Sequence, residues 1–422
     1  MTEAKRESVA RLKTAWEQLP PAEIERLRPQ IEAAHRFVLD VRDGRTLDAG
    51  AAPPRELFMV KSILEDDPDG LIAASLAPEG EETRVLSDGA VLFGGVYYDA
   101  TDVDWAYTEV AWHVTGPTPP FPGNPVSLRI PDHCAFAILG DWGGNNTPAQ
   151  QVGALSKSMG DHFVHLGDVY YAGTAQSGVF ERDYQRSNFL DVWPGPFDTS
   201  FNLNSNHDMY AHAQGYYGLA LTPQYFAAQK GCGYFALYNA SFRLVGLDTA
   251  YYDPDPGGMG FMTGSLGPDG PNTQVAFLRQ QAVLAAQQKQ TLVLMSHHNG
   301  LDIGGNTPEP LWNEVAACLT PLAGRDVFWY WGHVHVGAVY KPRTAGGATV
   351  HGRCCGHGCI PWGVASDLVS PGVAWAETQV VGPGPNYFVT NGFASLHLDG
   401  AKLAEAFYGQ SGIRPHWTNV SG

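Results

Sequence analysis

Short apolar runs that end in polar residues recur from residue 132 to the end of this chain. Each run has the length of a buried strand, and segments with helical spacing separate several of them. The five clearest are Cys134–Leu139 before Asp141, His162–Leu166 before Asp168, Phe242–Leu247 before Asp248, Leu292–Met295 before His297, and Val327–Trp331 before His333. Strands that alternate with helices pack in layers, and the loops at the strand ends form the site. The pattern therefore predicts an α/β fold with polar residues gathered at the strand ends.

Composition excludes several classes of protein. Of the 422 residues, 44% are hydrophobic and 16% are charged, which is too few charges for a coiled coil or a disordered acidic tail. The net charge of −17 repels phosphate backbones, so we expect no nucleic-acid partner. No apolar run approaches the length of a membrane span, so we expect no membrane partner either.

The chain divides into three regions that differ in composition and in the spacing of their apolar residues. Residues 1–48 have apolar residues at helical spacing, broken at Pro20 and Pro21. Residues 49–128 combine acidic turns, short apolar strands and a proline-rich linker. Residues 129–422 carry the repeated strand and loop pattern and are predicted to form the main domain. We interpret the N-terminal helices as a packing or oligomerisation element, with capping of the site as the alternative, so a homo-oligomer is one expectation.

The amino terminus and the cysteines bear on the cellular compartment. The first 19 residues carry charges throughout and contain no apolar signal-peptide core. The six cysteines are scattered and do not have the spacing of a disulfide framework. These features predict a cytoplasmic protein. The cluster of Cys354, Cys355 and Cys359 lacks the second cysteine pair of a structural zinc site, so we interpret it as part of a glycine-rich loop.

The polar residues near the strand ends form a mixed set of oxygen and nitrogen ligands. The set comprises Asp141, Asp168, Tyr171, Asn206, His207, His297, His333 and His335. Carboxylates, imidazoles, an amide and a phenol without a thiolate favour Fe, Mn or Zn. The set is too large for one ion, and it suits two ions that share a bridging carboxylate. Such pairs of ions promote in-line displacement at phosphorus.

Five blocks in fixed order resemble the calcineurin-like metallophosphoesterase superfamily, and within it the purple acid phosphatases. The blocks are Gly140-Asp141-Trp142-Gly143, Gly167-Asp168-Val169-Tyr170-Tyr171, Ser205-Asn206-His207-Asp208, the single His297, and Gly332-His333-Val334-His335. One such block is common by chance, whereas five in order are specific. The resemblance extends over about residues 132–410. It implies a four-layer α/β sandwich of the metallophosphoesterase type.

The resemblance also implies how two metal ions would be held. One ion, expected to be Fe(III), is assigned to Asp141, Tyr171 and His335. The other, expected to be Fe(II), Zn or Mn, is assigned to Asn206, His297 and His333. Asp168 is assigned as the carboxylate that bridges the two ions.

Two positions place the chain nearer to the purple acid phosphatases than to the rest of the superfamily. Gly143 stands where most members have a metal-binding histidine. Tyr171 stands where the purple acid phosphatases have a metal-binding phenolate, which restores the number of ligands. A phenol has an ordinary pKa near 10, so its binding as phenolate at neutral pH favours a strongly Lewis-acidic ion such as Fe(III).

The activity that the resemblance implies is hydrolysis of a phosphate monoester by a metal-bound hydroxide, with Asp168, His207 and His298 as catalytic residues. His207 is expected to contact the phosphate or to protonate the leaving group as general acid. His298 is expected to face the substrate or to lie behind the ligands, with His297 favoured over it as ligand. Asn145 and His357 are candidate pocket-lining residues that could contact the substrate. Since Ser205 replaces the family glycine, the turn that bears Asn206 could be altered if it needs a close backbone approach or a positive φ.

Two alternatives remain open at this point. The same metal core serves phosphodiesterases, so an enzyme acting on nucleotides or small diesters is the runner-up. A non-catalytic scaffold on the same fold is disfavoured because all seven ligand positions are filled. In either enzyme the partner is a small phosphorylated substrate, which is selected by loops whose conformation the sequence does not reveal.

Overall fold

The computed structural model describes residues 115–175, 183–254, 261–360, 368–381 and 388–422. Before residue 115 it describes single helical positions between residues 17 and 32, and three short strands. These strands are β1 (Thr83–Val85), β2 (Val91–Phe93) and β3 (Val96–Tyr98), which form an antiparallel sheet. Most of the predicted N-terminal helical segment lies outside the described residues. The boundaries proposed for the first two regions therefore stay predictions.

A six-stranded sheet carries the first two blocks. Its strands are β5 (His133–Leu139), β6 (His162–His165), β7 (Ser200–Asn202), β18 (Gly392–Asp399), β19 (Lys402–Gly409) and β20 (Trp417–Ser421), in the order β20-β19-β18-β5-β6-β7. β5, β6 and β7 run parallel, so their carboxyl ends lie at the same edge of the sheet. The loops that follow β5 and β6 contain Asp141 and Asp168.

A second sheet of nine strands carries the last two blocks. Its strands are β4 (Val126–Arg129), β8 (Phe235–Tyr238), β9 (Phe242–Leu247), β10 (Thr291–Ser296), β11 (Asp326–Trp331), β12 (Gly337–Tyr340), β13 (Arg343–Ala345), β14 (Ala348–Cys355) and β15 (Val373–Ala376). The order is β15-β12-β14-β11-β10-β9-β8-β4, and β13 pairs with β14. β9, β10, β11 and β14 run parallel, so His297 after β10 and His333 after β11 also lie at one edge.

The two sheets face each other across an apolar core, and helices cover their outer faces. Phe136 and Ile138 of β5 belong to this inner core, whereas the alternate residues Ala137 and Leu139 pack in the outer cluster that includes α1 (Thr147–Ser156). On β10, Val293 and Met295 likewise face inward. Its outward residues Leu292 and Leu294 pack in the cluster that includes α3 (Gln274–Gln288) and α4 (Pro310–Cys318). Apolar side chains on both faces are what a central strand covered on both sides requires.

The arrangement of helices, sheet, sheet and helices is a four-layer α/β sandwich. The fold class predicted from the sequence is therefore confirmed. Across the described residues, no helix has both the length and the apolar character needed to span a lipid bilayer.

A buried ion pair crosses between the sheets. Arg353 on β14 donates to Glu405 on β19, with Nε–Oε1 and Nη2–Oε2 distances of 2.8 and 3.0 Å. The Tyr330 hydroxyl on β11 donates to the same carboxylate at 2.6 Å. Buried charges are tolerated when they are paired and hydrogen-bonded in this way. The pair ties β11 and β14 of one sheet to β19 of the other.

The loops at the ends of the two sheets meet at one end of the sandwich. Nδ1 of His297 after β10 lies 2.9 Å from the carbonyl oxygen of Leu166, which follows β6 of the other sheet. The backbone N–H of His333 after β11 donates to Asp141 Oδ2 at 2.9 Å, and Asp141 follows β5. These bonds join the loops that carry four of the five blocks.

Candidate metal centre

Three of the predicted ligands have a left-handed backbone conformation. The φ angles of Asp141, Asp168 and His333 are 55°, 74° and 66°, values that are rare outside glycine and that are costly unless the surroundings hold them. Their loops are held by backbone hydrogen bonds, among them Asp141 N–H to the Gly167 carbonyl at 2.9 Å. Non-glycine residues held in this region cluster at functional sites, where the conformation aims a side chain.

One group of ligand atoms is formed by Asp141, Asp168 and His335, which are all buried. The candidate ligand atoms of the three residues lie within 4.8 Å of one another. Nε2 of His335 is 3.3 Å from Oδ1 of Asp141. The structure thus brings together residues from the first, second and fifth blocks.

The phenol that joins this group belongs to Tyr170. Its hydroxyl donates to Asp168 Oδ2 at 2.9 Å, and lies 3.0 Å from His335 Nε2 and 3.4 Å from Asp141 Oδ1. Tyr170 is buried, and burial beside Asp168 and Asp141 raises its pKa well above the ordinary value. The ring of Tyr171, the phenol assigned from the sequence, lies against the ring of Tyr184 with centroids 6.0 Å apart.

A second group of ligand atoms surrounds Nε2 of His297. Oδ1 of Asn206 lies 2.7 Å from this nitrogen, and Nδ1 of His333 lies 3.3 Å from it. Oδ1 of Asp168 is 3.2 Å away. Asp168 thus has one carboxylate oxygen beside the second group and the other beside the Tyr170 hydroxyl of the first group. It is the predicted ligand that contacts both.

Neighbouring groups orient two of these ligands. Nδ1 of His297 faces the Leu166 carbonyl, so it carries the proton and leaves the Nε2 lone pair directed at the ligand group. Nδ2 of Asn206 donates to the Tyr210 hydroxyl at 3.0 Å, which directs the amide oxygen toward His297. Tyr210 lies four residues after Asn206, at the end of the short helix α2 (Asn206–Met209). Residues at this spacing share a helix face, so the spacing itself could have indicated Tyr210 as a neighbour of Asn206.

Ser205 supports the turn that bears Asn206. Its φ of −143° is an extended conformation open to any residue, so this position needs no positive φ. The Ser205 side chain caps α2 by accepting a hydrogen bond from the N–H of Asp208, and its hydroxyl donates to Asp208 Oδ2 at 2.6 Å. Serine thus forms and caps this turn, and the effect of the replacement on Asn206 as a ligand stays a prediction.

The electrostatics of the site favour cations. Burial and the neighbouring Asp168 raise the pKa of Asp141 well above its usual range, since two carboxylates in one buried site repel each other. Burial lowers the pKa of His297 to about 3 and that of His335 to about 4. Both imidazoles are therefore neutral at physiological pH, the form that binds metals. Together with the amide oxygen and the phenol, this donor set fits two hard or borderline metal ions.

His207 lies at the rim of the ligand groups. Its Nδ1 is 2.8 Å from the carbonyl oxygen of Tyr171, so Nδ1 carries a proton that this carbonyl accepts. Its Nε2 is on the side of the metal centre, 4.0 Å from Asp168 Oδ2. The ring packs edge-on against Tyr170 and Tyr210. These contacts fix the ring and leave Nε2 directed at the site.

His298 is buried beside the centre, with a protein partner at each ring nitrogen. Nδ1 lies 2.9 Å from the Thr249 hydroxyl, and Nε2 lies 2.7 Å from the Phe261 carbonyl. One of its nitrogens also falls within 4.8 Å of the ligand atoms of His297 and His333. These contacts make His298 a support for the loop at Phe261, and its predicted catalytic role and contact with substrate stay predictions.

Asn145 and His357 have their described contacts in neighbouring loops. Asn145 donates to the Ser187 carbonyl at 3.0 Å and accepts from Gln150 at 3.1 Å. His357 is buried, and its ring packs against Phe407 with centroids 6.1 Å apart. The pocket-lining roles of these two residues stay predictions.

Comparisons with known proteins return solved structures only. No family model matches the chain, and neither does any curated protein. GAP50, the anchor in the inner membrane complex of Plasmodium, is 12% identical with a TM-score of 0.48, over 68% of this chain and 88% of that chain. A dimetal phosphatase from Danio rerio is 13% identical with a TM-score of 0.41, over 68% and 98%. PhoD is 13% identical with a TM-score of 0.41, over 72% and 70%.

Structural similarity at these identities and TM-scores does not establish an activity for this chain. The names of the three proteins also do not describe one shared function. The case for a metal site rests on the residues of this chain. Five blocks, widely spaced along the sequence, converge on two groups of candidate ligand atoms that share Asp168, and all of their residues except the half-buried His333 are buried. The order of those blocks resembles that of the calcineurin-like metallophosphoesterases, and the layered sheets carry the blocks to one end of the fold.

Proposed function

We propose that this protein is a phosphate ester hydrolase with a dinuclear metal centre. The observation that carries the proposal is the pair of buried ligand groups that meet at Asp168. Two ions held there would supply Lewis acidity toward phosphate oxygens and lower the pKa of a bound water. The neutral imidazoles and the mutually repelling carboxylates support this reading, because bound cations relieve the repulsion.

The ions are assigned to the two groups. Asp141, His335 and a tyrosine would hold the first, which we propose to be Fe(III) because a phenolate favours a strong Lewis acid. Asn206, His297 and His333 would hold the second, proposed as Fe(II), Zn or Mn. Asp168 would contact both. The contacts of the Tyr170 hydroxyl with Asp168 and His335 support Tyr170 as the phenolate in place of Tyr171.

Single substitutions of the two tyrosines decide between them. Iron-loaded protein is expected to show a visible phenolate-to-iron charge-transfer band. Tyr170→Phe is expected to remove the band, and Tyr171→Phe, its matched control, to leave it. Loss of the band only in Tyr171→Phe would uphold the assignment made from the sequence. No band in iron-loaded wild-type protein, with iron content measured, would refute Fe(III) bound to a phenolate.

The chain's own residues supply the remaining chemistry. His207 is held by the Tyr171 carbonyl with Nε2 toward the site, so it can give a proton to the oxygen of the departing alcohol. Tyr210 holds the Asn206 amide in the orientation that presents its oxygen. His298 supports the loop at Phe261. A group that gives a proton late in bond cleavage contributes about 10²- to 10⁴-fold to the rate.

The substrate is proposed to be a small phosphate monoester. The test is turnover of a chromogenic monoester and its diester analogue by the metal-loaded protein. We expect faster turnover of the monoester. Preference for the diester would establish a phosphodiesterase instead. Inactivity toward both, with no metal retained after dialysis against Fe, Zn or Mn, would favour a non-catalytic scaffold.

A further inference from the structure

The segment Phe261–Gly264 borders the candidate metal centre and is tied down at both ends. The Phe261 carbonyl lies 2.7 Å from Nε2 of His298, and the Phe261 ring is buried. The N–H groups of Thr263 and Gly264 donate to Asp253 Oδ2 at 2.9 and 2.5 Å. Asp253 is itself buried. The segment is therefore held in one position by a buried histidine and a buried carboxylate.

Close packing under this segment depends on Gly264. Its φ is +73°, a conformation that favours glycine, and an added Cβ would lie 2.6 Å from Cβ of His298. Phe261 also has a positive φ, of 61°. This backbone packs directly against His298, the neighbour of the predicted ligand His297. It therefore holds the two residues between Phe261 and Gly264 at a defined place.

The first of these two residues, Met262, is apolar and exposed to solvent, although the site that it borders is polar. Its side chain is 55% exposed, whereas Asn206, which it contacts, is 3% exposed. Its sulfur lies 3.8 Å from Nδ2 of Asn206 and 3.9 Å from the hydroxyl of Tyr210. Met262 thus lies against the predicted ligand Asn206 through its sulfur and leaves more than half of its own surface exposed.

His207, the proposed proton donor for the leaving group, lies on the same side of the site as Met262. The His207 ring packs against the Tyr210 ring with centroids 4.8 Å apart, and the Tyr210 hydroxyl contacts Met262. His207, Tyr210 and Met262 therefore form a series of successive contacts along one side of the site. The phosphate itself would be engaged by the ions and would not reach this side chain.

We propose that Met262 is a specificity-determining residue that packs against the leaving alcohol, and that the preferred substrate is an ester of an aromatic or other apolar alcohol. This inference rests on the proposed phosphate ester hydrolysis. A flexible, polarizable thioether makes favourable contacts with aromatic rings and adapts to their shape. A polyol or sugar would gain nothing from this contact and would lose hydration there.

The test compares esters that differ only in their alcohol. We expect Met262→Gln, which keeps the length but is polar, to lower kcat/KM for phenyl phosphate about tenfold, a typical value for one apolar contact in a pocket. Turnover of glycerol phosphate should change little, as should inhibition by inorganic phosphate. Met262→Leu, which stays apolar, should retain most of the preference for the phenyl ester. Ile413→Gln, a change of another exposed apolar residue, should have no effect on either ester.

A binding measurement separates failure of this proposal from failure of the proposed function. Calorimetry of metal-loaded protein should show tighter binding of phenylphosphonate than of methylphosphonate, and Met262→Gln should abolish the difference. This readout needs no turnover, so it holds or fails even where no ester is hydrolysed. Equal binding of the two phosphonates by wild-type protein, or equal losses for both esters in Met262→Gln, would overturn the role of Met262.

Discussion

Replacing Asp168 with Asn is expected to remove at least about a thousandfold of the activity toward a chromogenic phosphate monoester. Asp168 is the residue that contacts both ligand groups, with one oxygen 3.2 Å from His297 Nε2 and the other 2.9 Å from the Tyr170 hydroxyl. The amide keeps the shape of the side chain but not its negative charge. Two ions close together then lose the anion that screens their repulsion, so metal content should fall together with activity.

The matched control for this substitution is Asp269→Asn. Asp269 is an exposed carboxylate whose described partner is Arg279, at 2.9 Å. The change is chemically identical, and we expect wild-type activity and metal content because exposed ion pairs contribute little. Full activity and two retained metal ions in Asp168→Asn would contradict the assignment of Asp168 to both ions.

Replacing His207 with Asn is expected to reduce turnover most for substrates whose leaving group must be protonated as it departs. The asparagine amide can still donate to the Tyr171 carbonyl, which preserves the bond that Nδ1 makes at 2.8 Å, but it cannot transfer a proton. For an alkyl phosphate, whose alkoxide is a poor leaving group, we expect a loss of about 10²- to 10⁴-fold in kcat. For 4-nitrophenyl phosphate, whose phenolate leaves unprotonated, the loss should be small.

Metal content separates this role from a structural one, because His207 lies outside both ligand groups and its loss should leave the ions bound. His212→Asn is the control, since this nearby half-buried histidine has the Thr118 hydroxyl as partner at 3.1 Å. We expect it to leave both activities unchanged. An equal loss for the alkyl and nitrophenyl esters in His207→Asn would show that His207 binds phosphate or positions other groups and is not the proton donor.

The strand ends that carry the site residues were the easiest part of the site to predict. The ends of β5, β6, β10 and β11 could be located because a buried strand reads as a continuous apolar run, and the polar residue after it marks the turn. The alternation of such runs with helical segments predicted an α/β fold, and the resemblance of the five blocks to a known family implied its four-layer form. The structure bears out that fold class, and it brings the predicted ligands Asp141, Asp168, Asn206, His297, His333 and His335 into two adjoining groups.

Side-chain direction was harder to predict, as the two adjacent tyrosines show. The spacing of the second block selected Tyr171, whereas the hydroxyl that lies among Asp141, Asp168 and His335 belongs to Tyr170. Neighbouring residues in a loop point in different directions, which depend on the path of the backbone. A tyrosine that points into the site and one that points away from it look the same in the sequence. His298 illustrates the same limit, since its neighbours Thr249 and Phe261 are distant in sequence.

The sequence by itself determined the fold class, the kinds of donor atom and the chemistry that those atoms permit, because strand periodicity and residue type are local properties. Tertiary structure alone decided which side chains meet. The convergence on Asp168, the orientation of Asn206 by Tyr210 and the exposure of Met262 above it depend on packing two sheets against each other. Those contacts join residues from separate loops, and no spacing along the chain encodes a distance across that junction.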